Sequence, residues 1–88
     1  MTNNKIIVYG TGWCGDCRRS RRYLDQNNIA YDFINIDNNK DGEQFVLNNN
    51  RGMRSVPTIV FEDGSILVEP TNKVLAEKLG LKFEAFHF

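Results

Sequence analysis

Both cysteines of the chain fall in the hexapeptide Gly12-Trp-Cys-Gly-Asp-Cys17, directly after the apolar run Lys5-Ile-Ile-Val-Tyr-Gly10. No other feature limits the fold as much. A short β-branched run bounded by glycine reads as a buried strand. From Gly15 to Asn28 the chain lacks proline and β-branched residues, and Gln26-Asn27-Asn28 forms a stop-like cluster, so a helix is predicted there. The two thiols therefore stand at a strand-to-helix junction. At about 100° per residue, Cys17, Ser20, Leu24 and Asn27 share one side of that helix, with Tyr23 at its margin. Arg18, Arg21 and Arg22 lie on the side that carries Cys14. Cys14 is expected near the tip and open, and Cys17 turned towards the body.

The remaining pattern alternates in the same way. Tyr31–Ile36 and Thr58–Phe61 read as strands, with a helix between them over residues 40–50 that places Phe45, Val46 and Leu47 inward. Glu62-Asp63-Gly64 is a hairpin turn, because Asp-Gly supplies positive φ cheaply, and Ser65–Val68 is the returning strand. Pro70-Thr71 opens a last helix with Val74, Leu75, Ala76 and Leu79 inward, and Gly80 ends it. The order β-α-β-α-β-β-α predicts an α/β fold, with parallel pairing of the first two strands and an antiparallel hairpin of the last two. With 88 residues the chain is expected to be a single domain, 1–88. The tail 81–88 holds three Phe and is expected to pack as a strip on that domain.

Formal net charge is zero, which argues against a general nucleic-acid or anionic-membrane binder. Ile6–Tyr9 is too short for a secretory core or a membrane span, so the expected location is the cytoplasm. Structural disulfides are unusual there, so a Cys-x-x-Cys pair reads as redox or metal chemistry. Two thiols at i and i+3 on a first helical turn can bond to each other with slight adjustment. A helix N-terminus favours negative charge, and the thiolate is the attacking species. Cys14 is then a nucleophile, helped by nearby Arg18 and Arg21 and opposed by Asp16, and Cys17 resolves the mixed disulfide it forms. Zinc would need four ligands, and beyond the two cysteines the chain offers one histidine, His87. The other alternative is a pair of small buried residues.

Two motif matches carry less than they spell. Gly10-Thr-Gly12-Trp-Cys-Gly15 fits the dinucleotide-binding turn, with Asp37 falling 22 residues later. The chain is too short for two mononucleotide halves, and the cysteines occupy the turn that pyrophosphate would approach. Gly10, Gly12 and Gly15 are better read as letting the backbone turn sharply and leave Cys14 uncovered. Asp37-Asn-Asn39-Lys-Asp41-Gly42 matches half of a calcium loop, but its twelfth position is Asn48 instead of Glu. A polar turn capped by Asp37 or Asn39 is the simpler reading.

Trp-Cys-x-x-Cys on the first helix, Arg54-Ser-Val-Pro-Thr58 before the third strand and Phe61-Glu-Asp-Gly-Ser65 at the hairpin resemble the glutaredoxin family of the thioredoxin fold, most of all the mycoredoxins. The likeness runs from about Lys5 to Leu81. It implies a four-stranded mixed sheet flanked by helices and a cis-Pro57 beside Cys14. The Val56 backbone would grip a low-molecular-weight thiol, glutathione or mycothiol-like. It implies a thiol–disulfide oxidoreductase acting on disulfide-containing proteins, recycled by a small thiol or a flavoprotein reductase, with no metal or bound cofactor. Thr11, Trp13, Arg54, Val56, Pro57, Thr71 and Asn72 would line the thiol site; Trp13 would wall the groove, and Arg54, Thr71 and Asn72 would hold a carboxylate. Two departures weigh against glutathione: Thr11 stands where lysine is frequent, and Val68-Glu69-Pro70 stands where Gly-Gly is frequent, so that Glu69 would repel a carboxylate. A monomer is expected. The alternatives are a dimer sharing an iron–sulfur cluster or zinc through Cys14, and a dedicated electron donor to one reductase.

Overall fold

In a computed structural model that describes residues 5–82, the architecture follows from the two faces of the first strand. β1 (Ile6–Gly10) buries Ile6, Val8 and Gly10 and leaves Ile7 and Tyr9 half-buried. This period of two sends alternate side chains to opposite faces of a sheet. On one face Ile6 and Val8 join Leu24, Ile59, Phe61 and Leu75 in the main core. Leu24 belongs to α1 (Gly15–Gln26) and Leu75 to α3 (Asn72–Leu79), so these two helices cover that face. On the other face Tyr9 stacks on Phe45 of α2 (Lys40–Asn49), with ring centroids 4.7 Å apart.

The sheet is mixed, as expected. β1 pairs in parallel with β2 (Tyr31–Asn35), Val8 opposite Phe33, and antiparallel with β3 (Thr58–Val60), Val8 opposite Ile59. β3 returns through the Asp-Gly turn to pair antiparallel with β4 (Ile66–Val68), giving the order β2-β1-β3-β4. Strand β1 is therefore flanked on both sides, and its C-terminal end carries the two thiols into α1.

Helix ends follow the local chemistry. Asn39, not Asp37, caps α2, its side chain accepting from the Gly42 N–H at 2.7 Å. Thr71 caps α3 through the Val74 N–H at 3.1 Å, and Gly80 closes it in the left-handed region. One inward assignment fails: Val74 is 37% exposed. The inward face of α3 is centred on Leu75 and Ala76, and Val74 lies far round the helix from that centre. Among the described residues no helix is long and apolar enough to cross a membrane. Residues 83–88, with His87 and most of the expected tail strip, lie outside the described residues.

None of Gly10, Gly12 and Gly15 adopts the positive φ of a glycine turn, and Gly10 instead makes room for Cys17. A Cβ at Gly10 would stand 2.6 Å from the Cys17 sulfur and 3.2 Å from its Cβ. Cys17 is fully buried, so it has nowhere to retreat. Gly12 and Gly15 would meet nothing within 4 Å. Gly10→Ala is expected to cost about 1–3 kcal/mol of stability through overpacking. Gly12→Ala should stay within about 0.5 kcal/mol of the native chain. Urea unfolding midpoints at constant slope measure both.

Candidate functional site

Cys14 is itself the capping residue of α1. Its backbone is extended, with φ −82° and ψ 118°, and its sulfur accepts the Cys17 N–H at 3.1 Å. Oxygen normally fills that role, at the end of a helix where free N–H groups favour negative charge. A second contact has the opposite preference: the Cys14 thiol can donate to the Val56 carbonyl oxygen, but only at 3.8 Å. The amide contact is the shorter of the two. Cys14 is half-buried and Cys17 buried, and both are free thiols. Burial, first, pushes the Cys17 thiol up to about 12; its hydrogen bond to Cys14 and the Cys14 charge add to this, and a hydrogen bond from the Thr11 backbone opposes it.

The Val56–Pro57 peptide is cis. The Pro57 carbonyl accepts from the Glu69 N–H at 2.8 Å, which ties this loop to the segment entering α3. Arg19 reinforces that segment from α1: its guanidinium bonds Asp16 at 2.8 Å and the Pro70 carbonyl at 2.9 Å. The Asp16 charge near Cys14 is thus paired.

The expected arginine helpers sit differently. Arg21 lies over the Phe33 ring at 3.9 Å, and Arg18 is exposed. The positive potential in direct contact with Cys14 comes from the helix end. Thr11, expected to line the thiol site, is fully buried, so its side chain is closed to a ligand and its contribution is the backbone contact to Cys17. Thr71 is exposed, with its hydroxyl oxygen accepting the Val74 N–H, and Asn72 is half-buried, with a buried amide oxygen that lacks a protein partner. Among the described residues no three His, Cys, Asp or Glu side chains gather as a metal site.

A chain of contacts that the sequence did not disclose joins Trp13 to Arg54. The Trp13 indole N–H donates to Asp37 Oδ2 at 2.9 Å. Arg54 donates through Nη2 to Asp37 Oδ1 and through Nε to Glu43 Oε2, each at 2.7 Å. Arg54, expected to be available for a carboxylate ligand, is already held by two carboxylates. Asp37 follows β2 and sits 24 residues from Trp13 and 17 from Arg54. Only its place at the end of a strand neighbouring β1 hinted that it could reach this end of the sheet.

The family model for glutaredoxin matches residues 6–66. A Mycobacterium tuberculosis protein that carries the glutaredoxin name is 40% identical over 79 residues, covering 90% of this chain and 94% of that one. Mycoredoxin 1 of Corynebacterium glutamicum is 34% identical over 82 residues, covering 93% and 96%. Among solved structures, a mutant of the thioredoxin-like protein BC3987 superposes with a TM-score of 0.79 at 25% identity, covering 91% of this chain and all of that one. A glutaredoxin of Methanosarcina mazei gives 0.72 at 27% identity, covering 89% and 80%.

Two outcomes follow from the site's charges. Cys17 carries its proton well above neutrality, so iodoacetamide at pH 7 should label Cys14 and spare Cys17 until the protein is unfolded, as read by peptide mass spectrometry. The second concerns Asp37, which the Arg54 guanidinium first, and the Trp13 indole next, hold below the usual carboxylate range. A depressed carboxyl keeps its contacts as pH falls through the ordinary range and loses them only below it. Trp13 is the single tryptophan. Its emission should stay constant down to the ordinary Asp value of 3.8 and shift below it while far-ultraviolet circular dichroism still reads native. The step should vanish in Asp37→Asn.

Proposed function

This chain belongs to the glutaredoxin family of thiol–disulfide oxidoreductases, and from that membership we propose that it reduces protein disulfides, or mixed disulfides between a protein and a small thiol, through Cys14 and Cys17. The observation that carries the reading is the pairing of an amide-stabilised, reachable Cys14 sulfur with a buried, protonated Cys17.

The Cys14 thiolate attacks one sulfur of a substrate disulfide. That S–S bond breaks, a bond from Cys14 to the substrate sulfur forms, and the other sulfur leaves as a thiolate that takes a proton. Capture removes the Cys14 charge from beside Cys17 and leaves a divalent sulfur that accepts more weakly. One influence that holds the Cys17 proton then disappears and a second weakens, although burial persists. Cys17 gives up its proton to the departing sulfur and attacks Cys14, releasing the substrate thiol and leaving a Cys14–Cys17 disulfide. Two electrons have passed to the substrate. Two equivalents of a low-molecular-weight thiol, or one hydride equivalent from a flavoprotein reductase, restore the pair.

The Val56 backbone and Pro57, beside Cys14, are the seat for the thiol end of the substrate. A mycothiol-like, uncharged thiol suits the rim better than glutathione. Arg54 is paired with Asp37 and Glu43, and Glu69 adds negative charge on the segment bonded to Pro57. The relation to mycoredoxin 1 supports the same choice. The protein acts as a cytoplasmic monomer.

The test is reduction of a mixed-disulfide substrate with glutathione, mycothiol or thioredoxin reductase as the recycling system. Cys14→Ser should abolish turnover with all three. Cys17→Ser should retain activity only where a small thiol can resolve the intermediate. Native-like turnover of protein disulfides by Cys17→Ser would refute the resolving role. Zinc at one equivalent, or iron and inorganic sulfide at two or more equivalents each, per two chains would favour a shared metal site instead.

A further inference from the structure

We propose that Asp37 is a positioning residue: by holding the Trp13 indole and Arg54 together it fixes Trp13 as a platform for the polypeptide side of a disulfide substrate. The claim rests on the oxidoreductase reading and adds to it a substrate-binding surface and the group that orients it.

Trp13 precedes the nucleophile, yet it is 68% exposed. An indole left free there would sample several orientations, and a substrate would have to stop that motion on binding. Here it is already stopped. Asp37 divides its two oxygens, Oδ2 to the indole N–H and Oδ1 to Arg54. Arg54 is pinned in turn through Nε to Glu43 on α2, so the carboxylate cannot turn away. The network spans both lips of the site, from the residue before Cys14 to the loop that carries Val56 two residues after Arg54. The indole keeps its apolar face open while its polar edge is satisfied, which suits contact with a polypeptide.

A structural role is the competing account, and magnitudes separate the two. Both Arg54 ion pairs are exposed, with side chains 36–41% accessible. Exposed pairs of this kind add little to stability, so the cost of losing them should fall on orientation. A small disulfide seated on the Val56 backbone does not need the platform, whereas a polypeptide does.

The experiment compares insulin, a polypeptide disulfide, with bis(2-hydroxyethyl) disulfide. The native chain is set beside Asp37→Ala, Asp37→Asn, Trp13→Phe and the Asp37→Ala/Trp13→Phe double variant. Lys5→Ala, which breaks a remote surface ion pair with Asp32, is the control. Asp37→Ala should raise the KM for insulin about three- to tenfold, the size of one side chain's ordering cost, with kcat within about twofold. The KM for bis(2-hydroxyethyl) disulfide should stay within about twofold. Asp37→Asn keeps an oxygen acceptor for the indole and should recover most of the loss. Trp13→Phe keeps a ring without a donor. It should match Asp37→Ala, and the double variant should be no worse than either. Equal losses on both substrates, a fall in kcat alone, additive losses in the double variant or an unchanged insulin KM would each overturn the proposal. A native chain that reduces neither substrate would remove the oxidoreductase reading. The orienting claim is then decided by Trp13 fluorescence anisotropy, which must fall in Asp37→Ala and recover in Asp37→Asn; an unchanged value refutes it.

Discussion

The bond from the Cys17 amide to the Cys14 sulfur, at 3.1 Å, is the contact on which the other features of the site depend. It exists only because Cys14 stops in extended backbone and lets α1 begin one residue later. A sulfur in the capping position meets the helix end from outside, where N–H groups lack partners within the helix. The same spacing carries Cys17 one turn inward, onto the buried side shared with Ser20 and Leu24. There it fits because β1 ends in a residue without a Cβ. One local geometry thus makes two chemically identical side chains unlike: one reachable and in contact with a helix-end amide, the other buried and protonated.

That difference orders the chemistry. Cys17 cannot attack first, because it is enclosed and protonated, and the largest reason for its protonation is enclosure itself. The influence of Cys14 is smaller but conditional, since it lasts only while Cys14 is an unmodified sulfur. Burial alone would make Cys17 permanently inert. A neighbour whose charge disappears on capture makes its release depend on the preceding step. On the proposed function, the second thiol acts only after the first has been captured.

What was legible in the sequence was what repeats locally. The period of two in Ile6–Gly10, the helical spacing of Cys17, Ser20 and Leu24, the Asp-Gly turn and the Thr71 cap all express neighbours along the chain. The errors came where neighbours mislead. Val74 looked like a core residue because it adjoins Leu75, and Gly12 and Gly15 looked like Gly10 because they share its motif. Thr11 enters the site through the family resemblance, and local pattern does not disclose that its side chain is fully buried, because strand alternation gives way there. The cis Val56–Pro57 bond came from family resemblance alone, because an X-Pro pair says little by itself. Asp37 matched two local patterns and serves neither. Its partners are on other elements, and only the register that lays β2 beside β1 brings them together.

Glu69 joins the backbone to the charge of the rim. Its φ is +49°, a conformation in which a side chain costs about 1–2 kcal/mol relative to glycine. The conformation is kept because the Glu69 N–H must reach the Pro57 carbonyl, at 2.8 Å. The resemblance implies glycine in this segment, which would meet the backbone requirement without strain. Glutamate meets it with strain and contributes a carboxylate, while Asp37 and Glu43 together outnumber the one cation between them. A rim of this kind acts on charged ligands over roughly a Debye length, about 8 Å at physiological ionic strength. On the proposed function, such a rim would discriminate by repelling an anionic thiol, with no added contact needed to an uncharged one. Specificity of that kind comes from excluding the wrong ligand, and it would leave the proposed Val56 seat open to a thiol without negative charge.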